Sequence, residues 1–64
     1  MTDVVCVGEP RNALEIAIGD REGKPLKQVD VYIRRGTRLV WRARFELTKD
    51  DIRKLAEGLA AAAK

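Results

Sequence analysis

Apolar and polar positions alternate along four stretches of this chain, and the period then changes. "DVVCV" (3–7) is short and β-branched, and predicts a strand ended by the turn-rich "GEPRN". "ALEIAI" (13–18) alternates cleanly, with Leu14, Ile16 and Ile18 on one side and Ala13, Glu15 and Ala17 on the other. That is the pattern of a half-buried strand. "GDREGKP" (19–25) supplies the Gly, Asp and Pro that turn a chain. "QVDVYIR" (28–34) alternates again, Val29, Val31 and Ile33 facing in and Asp30, Tyr32 and Arg34 facing out. Gly36 then offers the positive φ that a tight hairpin needs. "RLVWRARFEL" (38–47) is the longest strand. An unbroken period of two points Leu39, Trp41, Ala43, Phe45 and Leu47 inward and Arg38, Val40, Arg42, Arg44 and Glu46 outward.

From residue 48 the pattern is helical. Thr48 is the N-cap, and Asp51 three residues on completes a capping-box variant. Leu47 and Ile52 form the matching hydrophobic staple. Asp50 and Asp51 suit the positive end of the helix dipole. Ile52, Leu55, Ala56, Leu59 and Ala63 recur at helical spacing as one apolar stripe. Gly58 interrupts that helix at a cost of about 1 kcal/mol relative to alanine. It reads as a kink or a close-approach point between paired helices, the plainer alternative being a tolerated glycine near a fraying end. The predicted fold is α+β: a four-stranded antiparallel sheet followed by one C-terminal amphipathic helix (ββββα), in a single domain over residues 1–64. Only one sheet face is apolar, so the helix must cover it or pack against a second subunit.

Size sharpens that choice. A chain of 64 residues buries only about 60% of its unfolded surface, so its core is marginal. Small folds compensate with disulfides, a metal or a partner subunit. Cys6 is the lone cysteine and histidine is absent, which excludes an internal disulfide and leaves no zinc set. A homodimer is expected, with Ile52, Leu55, Leu59 and Ala63 at its interface. The start "MTDVVCVGEP" is acidic with a short apolar run and shows no signal-peptide pattern. No stretch approaches the roughly 20 apolar residues of a membrane span. A lone cysteine fits a reducing compartment, so the expected location is cytoplasmic, and nucleoid-associated if the source is bacterial.

Charge brings in a function. The net charge is +3, but residues 34–44 hold five arginines and no acid, leaving the remainder slightly acidic. If the pleat keeps its phase, Tyr32, Arg34, Arg38, Arg42 and Arg44 share the outer face while Trp41 lies in the core. The sheet then has one dry side and one basic side, with Arg35 beside it at the hairpin. Arginine forks bind phosphate oxygens in pairs and stack on bases. Each phosphate neutralised releases counterions, so affinity would fall steeply with salt. Tyr32 adds one stacking platform. The single exposed ring falls short of the paired rings of a ribonucleoprotein sheet. The helix mixes Asp50, Asp51 and Glu57 with Lys49, Arg53 and Lys54, a poor reading head for the major groove. Backbone-dominated binding by the sheet is the expectation, and it requires the indole hidden and the cations together. The bland alternative is a solvated, charge-protected strand edge.

Catalysis has little to draw on. Without histidine, general acid–base chemistry would need a shielded carboxylate pair, and Asp50–Asp51 reads as helix capping. Cys6 reads as a core thiol with no base to activate it. "GDREGK" (19–24) fails as a phosphate loop, because it is one residue short between glycines and Lys24 is followed by Pro25. No enzyme activity and no cofactor are expected.

The layout resembles the transcriptional positive cofactor 4 family, over residues 13–60. "GKPLKQVDV" (23–31) is similar to that family's Gly-Lys-(Pro) turn leading into a "VDIR"-like strand. "RFELTKDDIRKLAEGL" (44–59) is similar to its basic fourth strand, stepping through a hydrophobic-x-Leu-Thr sequence onto a helix. Tyr32 stands where the family usually places arginine, and Arg42–Ala43–Arg44 where it tends to have a Lys-Gly pair. The resemblance implies a homodimer that binds single-stranded DNA along a basic channel, with Lys24, Arg42 and Arg44 among the contacts and the transcription machinery as a further partner. The full expected nucleic-acid set is Lys24, Tyr32, Arg34, Arg35, Arg38, Arg42 and Arg44. Two alternatives stand beside it. One is a protein–protein interaction module whose arginine face meets an acidic partner. The other is a duplex-coating, chromatin-like protein, for which Val40 is the one candidate minor-groove wedge.

Overall fold

A computed structural model describes residues 2–64. Four strands run in chain order, β1 (Thr2–Glu9), β2 (Asn12–Asp20), β3 (Lys27–Arg35) and β4 (Arg38–Leu47), followed by helix α1 (Lys49–Ala62). The strands form one antiparallel meander in the order β1-β2-β3-β4, so β1 and β4 are its two edges. The ββββα fold expected from the alternation is the fold observed.

Register explains which residues share a face. Val5 faces Ile16, Ile16 faces Val31, and Val31 faces Ala43. The neighbouring row is Ile18, Val29 and Phe45. These rows make the apolar face, and α1 crosses its end nearest the β2–β3 turn. The helix begins where expected. Thr48 Oγ1 accepts the Asp51 N–H at 3.0 Å, and the Asp51 carboxylate accepts the Thr48 N–H at 3.1 Å. The Thr48 N–H, foremost, and its hydroxyl hold the Asp51 carboxyl below its ordinary value. Two glycines serve the two tight hairpins at one end of the sheet. Gly8 has φ +113° and lies so close to β2 that a Cβ there would meet the Asn12 carbonyl oxygen at 2.8 Å. Gly36 (φ +62°) opens the two-residue β3–β4 turn, and its N–H donates to the Pro10 carbonyl at 2.9 Å, joining both turns at that end.

Single-chain burial is sparse. Among the described residues only Ala13 and Val29 are buried apolar positions, and no side chain is fully buried. Val4, Val5, Val7, Leu14, Phe45, Leu55 and Leu59 are all exposed, Leu59 at 61%. Between sheet and helix runs an open groove of about 240 Å³, lined by Val5, Ile16 and Ile18 on one side and Ile52, Leu55 and Leu59 on the other. One expectation changes here. Cys6 is exposed instead of a core thiol, because β1 is an edge strand with nothing packed on its outer side. Gly58 sits inside α1 with no atom of its own chain within 4 Å of an added Cβ. Among the described residues no helix is long and apolar enough to cross a membrane.

Candidate nucleic-acid interface

The face away from α1 carries the polar half of each strand, and its rows follow from the ladders. Cys6, Glu15, Tyr32 and Trp41 form one row; Val4, Ala17, Asp30 and Arg44 the next; Ala13, Arg34 and Leu39 lie on the other flank. Trp41 belongs to this face because β4 carries one extra residue. Val31 faces Ala43 and Tyr32 faces Trp41, so Arg42 has no partner on β3. That is a β-bulge, and it reverses the pleat for everything on its hairpin side.

The bulge overturns the expected phase of residues 38–41. Trp41 is 53% exposed and stands beside Tyr32, not in the core. Leu39, expected inside, is exposed and faces Arg34. Val40, expected outside, faces Ile33 on the apolar side, which removes the one candidate wedge for a duplex-coating protein. Arg35 and Arg38 face each other at the hairpin tip, in phase with Ile33 and Val40. The four arginines expected on the outer face therefore do not share it, because Arg38 turns to the apolar side with Arg35. An indole also needs a partner for its N–H when partly buried. The apolar side offers no acceptor in that row, whereas the open side offers Asp30.

Asp30 organises the site. Its exposure is 7%, the only buried charged residue among those described. Oδ1 accepts from Arg44 Nε at 2.7 Å and from Trp41 Nε1 at 3.3 Å, and Oδ2 accepts from Gln28 Nε2 at 3.2 Å. The Arg44 hydrogen bond, foremost, holds the Asp30 carboxyl below its ordinary value against the opposing effect of burial; Trp41 and Gln28 add to it. Asp30 in return raises the Arg44 guanidinium. A buried carboxylate needs donors on both oxygens, and this one fixes the indole and the guanidinium in doing so. Arg44 uses only Nε, and its side chain stays 54% exposed. Arg34 instead commits Nε and Nη2 to Glu15 Oε1, at 3.2 and 3.0 Å. Arg21 lies 3.4 Å from Glu46 on the same face.

The face is thus polar and largely neutralised, with two adjacent aromatic rings. Arg42 has no ion pair among the described residues and lies at the exposed edge. Lys24 is elsewhere, in the β2–β3 turn, lining an open depression of about 520 Å³ with Lys49 and Arg53 near the start of α1. Of the expected nucleic-acid residues the fold brings Tyr32, Arg34 and Arg44 onto one face, with Arg42 exposed at the bulge on the adjoining edge. It separates Lys24, Arg35 and Arg38 from them. The expected interface residues Ile52, Leu55 and Leu59 share the helix face over the groove, and Ala63 is the exposed C-cap.

Sequence reasoning missed Trp41, Asp30 and Glu15 as site residues. A signal for Trp41 was present. A two-residue turn at Gly36–Thr37 sets Tyr32 opposite Trp41, while inward Val29 and Phe45 demand a register one residue longer. Both hold only if β4 bulges between them. No protein-family model matches the chain, and neither a curated protein nor a solved structure matches it.

Proposed function

We propose that this chain is a non-enzymatic, dimeric binder of single-stranded nucleic acid that takes bases on the Tyr32–Trp41 pair. Arg42 and the free edge of Arg44 contact the adjoining phosphates. The supporting observation is the pair itself: two cross-strand rings on an open sheet face, the indole half exposed and held in orientation by Asp30. Flat rings offer stacking to any base and so give weak sequence preference. Bases in a duplex are already stacked and their faces covered, so an exposed ring pair favours single strands. The arginine-driven, backbone-dominated binding expected from charge alone gives way to base-dominated binding, because Glu15 and Asp30 occupy Arg34 and part of Arg44. A role in transcription or DNA maintenance in the cytoplasm, with the transcription machinery as partner, belongs to the same proposal through the resemblance to the positive cofactor 4 family.

The second part is assembly. Seven exposed aliphatic and aromatic side chains on β1, the apolar face and α1, with no side chain fully buried among the described residues, are what half of a shared core looks like. The homodimer uses α1, with Leu55 and Leu59 central.

Trp41 is the sole tryptophan, so its own fluorescence reports the contact. Adding oligo-dT should quench it, in step with the anisotropy rise of a labelled strand, and the matching duplex should do neither at equal concentration. Binding without quenching would place the ligand away from the rings and end this reading.

A further inference from the structure

The two sheet edges are built differently. β4 is defended: it carries Arg38, Arg42 and Arg44 and a bulge, all of which discourage edge pairing. β1 is undefended. It is eight residues long, pairs on one side only, and has no charge between Asp3 and Glu9. Val4, Val5 and Val7 are 58, 50 and 56% exposed. A long, apolar, unpaired edge is a template for another strand.

We infer that β1 pairs antiparallel with β1 of a second copy, about a twofold axis through Val5, to make one continuous eight-stranded sheet. The inference rests on the homodimer proposed above and adds the strand and register that join it. The other edge is a poor occupant, because β1-to-β4 pairing is head-to-tail, leaves a free edge at each end of any pair, and sets β1 against three arginines.

The register follows from two conditions. Both copies expose the same apolar face, with Leu55 and Leu59 above Val5 in the groove. Covering both together requires the two helices on one side of the joined sheet. Directly opposed residues must then point the same way, so the axis passes through a residue and not between two. Two near-central choices remain. An axis at Cys6 would set Asp3 opposite Glu9 of the second copy, twice over, and like charges directly opposed are unfavourable. An axis at Val5 sets Asp3 against Val7, Val4 against Cys6 and Val5 against Val5, with no acid facing another. The groove residues Val5 and Leu59 then lie next to the axis, and the two copies of α1 meet above it.

This geometry is tested with one added thiol. Antiparallel partners lie about 4.5–5.5 Å apart at Cα, within the span a disulfide bridges. Val4→Cys places its thiol against the Cys6 thiol of the second copy. Diamide should convert the variant to a covalent dimer, two thiols losing two protons and two electrons to the oxidant per bond. In the wild type the two Cys6 side chains are diagonal, about 7–8 Å apart, and should stay largely reduced. Val4→Lys, at an exposed position, should keep the fold by circular dichroism and weaken the dimer at least tenfold in sedimentation. A wild-type dimer whose Val4→Cys form does not cross-link would overturn the β1 pairing and leave the homodimer standing. Wild-type cross-linking through Cys6 that matches or exceeds the variant would overturn the register. A wild-type monomer throughout would overturn both.

Discussion

The salt dependence of binding separates a basic face from an aromatic one. The four arginines expected on the outer face, with Arg35 beside them, would neutralise five phosphates, and at about −0.7 per phosphate for single strands the slope of log K on log salt would be about −3.5. The structure leaves two guanidiniums for phosphate. Arg34 is committed to Glu15, Arg35 and Arg38 are on the other side, and Arg42 and the outer edge of Arg44 remain. The expected slope is then about −1.4. Between 50 and 200 mM salt that is a loss of about 7-fold, against about 130-fold for five contacts. Stacking is nearly insensitive to salt. Trp41→Ala should therefore lower affinity by roughly 1–3 kcal/mol, about 5- to 160-fold, at every salt concentration and leave the slope unchanged. The assay is fluorescence anisotropy with an oligo-dT of about six nucleotides, near the lower end of known site sizes, so that one protomer is probed. Arg42→Ala should flatten the slope by about 0.7 without disturbing the fold, since it has no partner to strand. A wild-type slope near −3.5, or a folded Trp41→Ala protein that binds like wild type, would refute the aromatic-platform reasoning.

Other perturbations address the parts of the fold that hold this surface. Deleting Arg42 removes the bulge and restores an unbroken period of two; Trp41 should then move to the apolar side, with a blue-shifted emission and lost quenching by oligo-dT. Thr48→Ala should cost about 1 kcal/mol of stability through the lost N-cap, read from urea unfolding. The carboxyls of Asp20, Asp30 and Asp51 all lie below the ordinary 3.8, held there chiefly by Lys27, Arg44 and the Thr48 N–H respectively. A lowered carboxyl stabilises the fold above its unfolded value and gives that up as pH falls through its folded value. The melting temperature should therefore drop below about pH 4, and Asp30→Asn should reduce that drop. Leu59→Glu should leave a monomer in sedimentation, since Leu59 is already exposed in the single chain.

The elements themselves were legible in the order of residues. Strand alternation placed β1 to β4, and the Thr48–Asp51 capping box with its Leu47–Ile52 staple placed the start of α1, because these are signals between near neighbours. It also put the β3 side chains on their correct faces, with Tyr32 and Arg34 outward and Val29 and Ile33 inward. The phase of β4 on the hairpin side of Ala43 was settled by contacts between strands. Two local preferences conflict there: the two-residue turn fixes one register at the tip, and the apolar row of Val29 and Phe45 fixes another at the base. The strand resolves the conflict by leaving Arg42 unpaired, and Asp30, fourteen residues from Arg44 and eleven from Trp41, supplies the hydrogen bonds that the resolved arrangement needs. Period two gives no hint of such an insertion, because one extra residue alters no local propensity. It moves an indole from the core to the surface and divides the arginines between two faces, so a charge cluster in the sequence became an aromatic surface in the fold.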